Sequence, residues 1–132
     1  MTLEQILILL ISFQIKHFIA DYPLQTMEMI REKGKYGRRG GIYHSLIHSL
    51  LTLIILISVD LTIIPIDYTV IFAISFVEFF IHYHIDWAKK QLTKKYSPEQ
   101  SKFWWATGFD QMLHHFTYIG FVWFIAIQTN VF

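Results

Sequence analysis

The sequence predicts an all-α polytopic membrane protein: four transmembrane helices in an up-down bundle, with short interfacial helices in the two cytoplasmic loops. Three observations carry this. Of 132 residues, 54% are hydrophobic and only 16% are charged, where soluble domains run near roughly one quarter charged. Four apolar stretches, at about residues 3–21, 43–59, 68–88 and 108–131, each approach the ~20 residues a helix needs to cross a ~30 Å hydrocarbon core. All eleven lysines and arginines gather at one end of those stretches. A single membrane domain over residues 1–132 is the natural partition at this length.

The elements follow in order. The first run lacks a basic n-region and a small-residue cleavage pattern, so it reads as structure rather than a signal peptide. It ends at Asp21-Tyr22-Pro23, since the residue before a proline avoids the helical region. Leu24–Ile30 reads as a weak interfacial helix, and Gly34, Gly37, Gly40 and Gly41 as the loop before the second span. Asp60 to Asp67, with Pro65, is a tight turn. Ser97-Pro98-Glu99-Gln100 reads as a helix start, with Ser as cap, Pro at the first position and Gln closing a capping box. Phe103, Trp104 and Trp105 then mark a short helix in the interface, where Trp is favoured. The long runs are apolar nearly all round, so periodicity does not assign them. The need to satisfy the backbone inside lipid makes them helices.

Charge orients the chain. Lys16 closes the first span. Arg31, Lys33, Lys35, Arg38 and Arg39 fill the first loop, and Lys89, Lys90, Lys94, Lys95 and Lys102 the third. The turn between spans two and three has none. The positive-inside rule puts both long loops in the cytoplasm and both termini outside, as expected of a multi-pass protein of a bacterial inner membrane.

Each span carries one pair of ionisable residues four apart: His17 and Asp21, His44 and His48, His82 and Asp86, Asp110 and His114. An i, i+4 pair lies on one helix face, one turn apart. The pairs sit late in helices one and three and early in two and four, so an up-down bundle brings all eight to its cytoplasmic end. Ionisable residues in a span are costly and mark functional sites by default. With no cysteine in the chain, any metal must use His and carboxylate, a set suited to Zn, Mn or Fe rather than Mg or Ca. Eight donors exceed one tetrahedral site; two divalent ions with an open, water-bearing position match the count. The competing explanation is a hydrogen-bonded network that fixes helix packing.

Neighbouring residues divide. Glu78, one turn deeper than His82, reads as a further ligand, a general base, or an acid kept protonated by burial. Gln25 and Gln111 are placed to support ligands, or are simply exposed. His84 points away from His82 towards the interface, and His115 is turned about 100° from His114. Lys89 continues the Asp86 face, to meet an anion or to snorkel to the headgroups.

His17-Phe-Ile-Ala-Asp21-Tyr-Pro-Leu-Gln25, His44-x3-His48, His82-x3-Asp86-x2-Lys89 and Asp110-Gln111-x2-His114 resemble an uncharacterised family of small four-helix bacterial and phage membrane proteins, a domain of unknown function. The resemblance covers nearly the whole chain and implies no activity. More loosely, the layout is similar to inner-membrane metal-dependent hydrolases, which bury His and Asp in helix ends. That likeness implies hydrolysis.

The favoured expectation is a metal-dependent hydrolase of an anionic lipid or other phosphoester. In it Asp21, Asp86 and Asp110 bridge the ions or take the proton, with Glu78 a further candidate base. The alternatives are a diiron lipid oxidoreductase, a divalent-cation transporter, and a non-enzymatic structural or partner-binding membrane protein. The expected partners are the bilayer and the anionic substrate. Oligomerisation stays open, and no nucleic acid is expected.

Overall fold

Three of the helix starts in this chain, those of α1 (Leu3–Asp21), α2 (Met27–Glu32) and α4 (Tyr68–Thr93), are set by short polar side chains that take up free backbone N–H groups. Thr2 accepts from the Gln5 N–H, and Gln5 Oε1 accepts the Thr2 N–H at 2.8 Å, a capping box that opens α1. Thr26 accepts from the Met29 N–H and opens α2. Asp67 accepts from the Thr69 N–H at 2.7 Å and opens α4. The computed structural model, which describes residues 1–130, adds α3 (Arg39–Thr62), whose N-cap Arg38 makes no side-chain cap, and α5 (Ser101–Asn130). Residues 131 and 132, the first of them the end of the fourth expected span, lie outside the described residues.

One expectation changes, and another is met in part. The first loop does hold a short helix, α2. The third loop does not: Phe103, Trp104 and Trp105 form the first turns of α5 itself. Nothing from Ser101 to Asp110 breaks a helix except Gly108, which an interior position tolerates at a cost of about 1 kcal/mol. The Trp104 indole N–H donates to the Pro98 carbonyl at 2.6 Å, tying the preceding turn back onto α5. The expectation met in part concerns the spans. Among the described residues three helices, α1, α3 and α4, are long and apolar enough to cross a membrane. α5 has 30 residues, length enough, but Asp110, Gln111, His114 and His115 dilute its apolar character.

α1 packs on α3 and α5, and α4 packs on the same two helices. The four long helices therefore form a ring with one shared interior, and α2 docks on the start of α3. That docking needs Gly40. A Cβ there would lie 2.8 Å from Glu32 Cβ and 3.0 Å from both Glu28 O and Met29 Cα. Gly37 turns the intervening loop at φ +76°, and its N–H donates to the Tyr83 hydroxyl at 2.7 Å.

The interior is divided along its length. One half is apolar: Leu9, Phe13, Leu56, Ile71, Phe121 and Ile125 form its centre. The other half is polar, with Lys16, His44, His48, Glu78, His82 and Asp110 all buried. The outside is the reverse, with Ile11, Ile15, Ile54, Phe72, Phe76 and Trp123 exposed. Ionisable groups inside and large apolar groups outside invert the soluble pattern and are what an apolar solvent selects.

Candidate metal centre

The polar half of the ring is where the four expected pairs meet. Asp21 is the last residue of α1, stopped there by Pro23. His44 and His48 come from the first half of α3, His82 and Asp86 from the second half of α4, and Asp110 and His114 from α5. One carboxylate links the two helices flanking it: Asp21 Oδ1 lies 3.2 Å from both His44 Nε2 and His48 Nε2, while its Oδ2 lies 3.1 Å from His17 Nε2. Across the ring, Asp86 Oδ2 is 3.2 Å from His44 Nε2 and 3.7 Å from His82 Nε2. The imidazoles are packed face to face, with ring centroids 3.6 Å apart for His48 and His82 and 4.2 Å for His82 and His114.

Two groups of donor atoms emerge, each within 4.8 Å of one another: Asp21, His44, His48 and His82, and then His82, Asp86 and His114. His48 Nε2 is hydrogen-bonded to Asp21 Oδ1, but other nitrogens of these groups are unusual in being buried without hydrogen bonds. His44 Nε2 sits near two carboxylates but aligns a bond with neither, and both nitrogens of His82 lack a partner. A buried polar atom left unpaired costs roughly 1–3 kcal/mol, and native interiors rarely tolerate several side by side. Donors aimed at a common point rather than at each other are what a bound cation requires. The donor set therefore accommodates a divalent ion with imidazole and carboxylate preferences.

The other expected residues sit around these groups. His17 is beside them, with both nitrogens engaged: Nδ1 and the Tyr118 hydroxyl share a hydrogen bond at 2.8 Å, and Nε2 faces Gln111 Oε1 at 3.2 Å as well as Asp21. Asp110 Oδ1 is 3.6 Å from His114 Nε2 and has no hydrogen-bond partner, while its Oδ2 accepts from Gln111 at 3.1 Å. Glu78 lies outside both groups, ion-paired with Lys16. Gln25 donates to the Asp21 main-chain carbonyl and touches no ligand atom of the groups. His84 is exposed and meets Tyr36, and His115 is exposed at the edge of His17. Lys89 reaches to 3.9 Å from Asp110.

Residues 8–131 match the family described as "Protein of unknown function (DUF3307)". The chain belongs to DUF3307. No curated protein and no solved structure matches it. The match takes in all eight side chains of this DUF3307 member's polar cluster and the turns that position them.

Two buried cations were not legible as parts of this centre. Lys16 donates to the His48 carbonyl at 3.2 Å and pairs with Glu78. Lys33 donates to both oxygens of Asp86. Lys16 had a signal, an ionisable group inside an apolar run. Lys33 had none, since a lysine among glycines looks like any solvated loop residue. The centre opens in two places. Asp21, whose side chain is 15% exposed, is the least covered of the donors. A cleft of about 50 Å³ between α4 and α5 reaches Asp110 beside Lys89.

Proposed function

We propose that this chain is a membrane-embedded, metal-dependent hydrolase of an anionic phosphoester, with two divalent ions at the cytoplasmic end of four spanning helices. The carrying observation is the set of buried, unpaired nitrogens of His44 and His82 inside two overlapping donor groups. His82 belongs to both groups; with His82 given to the first ion, the second needs another donor. Asp110 Oδ1 is the unpaired one in reach of His114. The reading thus assigns Asp21, His44, His48 and His82 to one ion, and Asp86, Asp110 and His114 to the other. α5 is the fourth span, with its Asp110 and His114 tolerable in lipid because they are buried against the neighbouring helices.

Bound ions would lower the pKa of a water and polarise a phosphoryl oxygen. The chain's own residues supply the rest. Asp21, the most open carboxylate, accepts the proton of an incoming water, and His17 Nε2–H holds Asp21 Oδ2 in position. Lys89 stands at the mouth of the α4–α5 cleft, where its ammonium meets an anionic substrate beside Asp110. Glu78 is held by Lys16 and is not used as a base. Transport is the weaker reading, because the apolar half around Leu9, Leu56, Ile71 and Ile125 offers an ion no polar path through one copy of the chain.

The test is metal analysis of detergent-purified protein, paired with hydrolysis of bis(p-nitrophenyl) phosphate and a short-chain phospholipid. Stoichiometric Zn, Mn or Fe, with phosphate-ester cleavage that His48→Ala abolishes, supports the reading. Protein that folds but binds no divalent ion overturns it. Iron with an oxo-bridged optical band and no cleavage favours the oxidoreductase, and metal flux into proteoliposomes favours transport.

A further inference from the structure

The basic residues of the first loop have different destinations. Lys33 turns inward to Asp86 and is buried. Arg31 and Lys35 instead join Lys90 and Lys94 of α4 around a groove of about 350 Å³, closed by Ile30 and Gly34. No carboxylate lines it. Glu32, the acid next in sequence, is committed elsewhere, accepting the Gly40 N–H at 2.9 Å. Among the described residues, the ion pairs formed by cations involve Lys16, Lys33 and Lys89 but none of the four in the groove. The walls are fixed: Gln91 donates to the Gly34 carbonyl at 2.7 Å and accepts from Lys94, so loop and helix hold the concave shape together.

Four like charges gathered in a concave, half-covered surface repel one another and focus a positive potential on its interior. A phosphate group offsets that repulsion, and an arginine fork matches its geometry. The same helix face says what hangs from the phosphate. At 100° per residue, Phe79, Tyr83, Lys90 and Lys94 fall within about 60° of one another around α4. An apolar groove of about 230 Å³, lined by Tyr36, Ile42, Phe79, Phe80 and Tyr83 among others, lies on that face, about 10 Å deeper by helical rise.

We propose that the Arg31–Lys35–Lys90–Lys94 groove binds the phosphate group of an anionic amphiphile, whose chain lies along the aromatic groove below it. The site stands apart from the metal reading, since none of its residues belongs to the donor groups.

The experiment is titration of the detergent-solubilised full chain with short-chain phosphatidylglycerol, read by native mass spectrometry, with short-chain phosphatidylcholine as the zwitterionic control. Saturable phosphatidylglycerol binding is expected, weakened about tenfold in Arg31→Gln/Lys90→Gln. It should be kept in Arg31→Lys/Lys90→Arg and in the off-groove pair Lys95→Gln/Lys102→Gln. Exposed Lys35→Gln, which leaves the fold alone, should weaken it in the same direction. Chelator-washed protein should bind equally well, which separates this result from any failure of the metal centre. Inorganic phosphate that displaces the lipid at similar concentration assigns the site to the phosphate alone; phosphate that does not assigns it to the whole lipid. Equal binding of phosphatidylcholine, unchanged binding in Arg31→Gln/Lys90→Gln and Lys35→Gln, or an equal loss in Lys95→Gln/Lys102→Gln overturns the proposal.

Discussion

The Lys33 ammonium donates to both carboxylate oxygens of Asp86, at 3.2 and 3.1 Å, from a loop 53 residues upstream. The loop that carries it is also tied to α4 through Tyr83 and Gln91. Lys33 is thus an internal cation on a carboxylate that the second donor group also uses. A positive charge about 3 Å from a ligand oxygen opposes an incoming cation, yet removing it from the metal-free protein strands a buried carboxylate, at about 3 kcal/mol or more. Lys33→Met is therefore expected to lower the melting temperature of chelator-treated protein. It should also enlarge the stabilisation gained on adding Zn or Mn relative to wild type. Thermal melts with and without metal check both signs.

Lys16 and Glu78 make a second buried pair, deeper in the bundle than the donor groups. Breaking one partner leaves the other charged and unpaired, so Glu78→Gln should cost about 3 kcal/mol. Lys16→Met/Glu78→Gln should recover much of that loss, because a buried pair replaced on both sides is often nearly neutral. Metal content should not change in either protein, since Glu78 lies outside both groups. A double-mutant cycle with parallel metal analysis reads both effects. Loss of one equivalent of metal in Glu78→Gln would return Glu78 to the ligand set.

The docking of α2 on α3 is open to a steric test. Gly40→Ala forces a methyl against Glu28 O and Met29 Cα, both main-chain atoms at 3.0 Å, so α2 must move. Overpacking of this kind costs about 1–3 kcal/mol. Gly120→Ala is the matched control, because a Cβ there meets nothing within 4 Å and alanine raises helix propensity by about 1 kcal/mol. The two variants should shift the melting temperature in opposite directions.

How far the sequence told this in advance depends on the distance over which each contact acts. His17–Asp21, His44–His48, His82–Asp86 and Asp110–His114 were legible because helical period alone fixes the spacing within each pair. Alternation of the pairs between late and early helix positions then fixes the end of the bundle where they meet. Lys33–Asp86 and Lys16–Glu78 were not, because they depend on how a loop and a helix dock across separations of 53 and 62 residues. The displacement of His17 from the donor groups has the same origin: Tyr118, 101 residues away, takes its Nδ1. The start of α5 at Ser101 was hidden because tryptophans at an interface look alike whether their helix lies flat or continues inward.

Outside the spans, the cap of α4 has a predictable pH response. The Thr69 hydroxyl and N–H both donate to Asp67, and these bonds hold its carboxyl below the ordinary aspartate value of 3.8. A depressed folded-state pKa adds stability that is complete above the unfolded value and fades as pH falls through the folded one. Amide exchange at the start of α4, corrected for intrinsic rate, should therefore rise on acidification below about pH 4. Asp67→Asn keeps a cap but has no carboxylate to protonate, and should flatten that response.

The division of donors between two ions makes the sharpest prediction. If Asp21, His44, His48 and His82 hold one ion and Asp86, Asp110 and His114 the other, the two losses are separable. His48→Ala removes a donor from the first set alone, and Asp110→Asn removes one from the second. Each variant should therefore retain about one equivalent where wild type binds two, and the double variant should retain about none. His82 distinguishes this from a single shared ion, because it is the one residue common to both groups. With one shared ion, wild type binds a single equivalent and Asp110→Asn changes the count little, since Asp110 stands in neither group. With two ions, His82→Ala weakens the first, and stacked His114 loses the ring that packs against it at 4.2 Å, loosening the second as well. Metal-to-protein ratios across these four variants, measured beside circular dichroism to confirm that each remains helical, decide between the two arrangements.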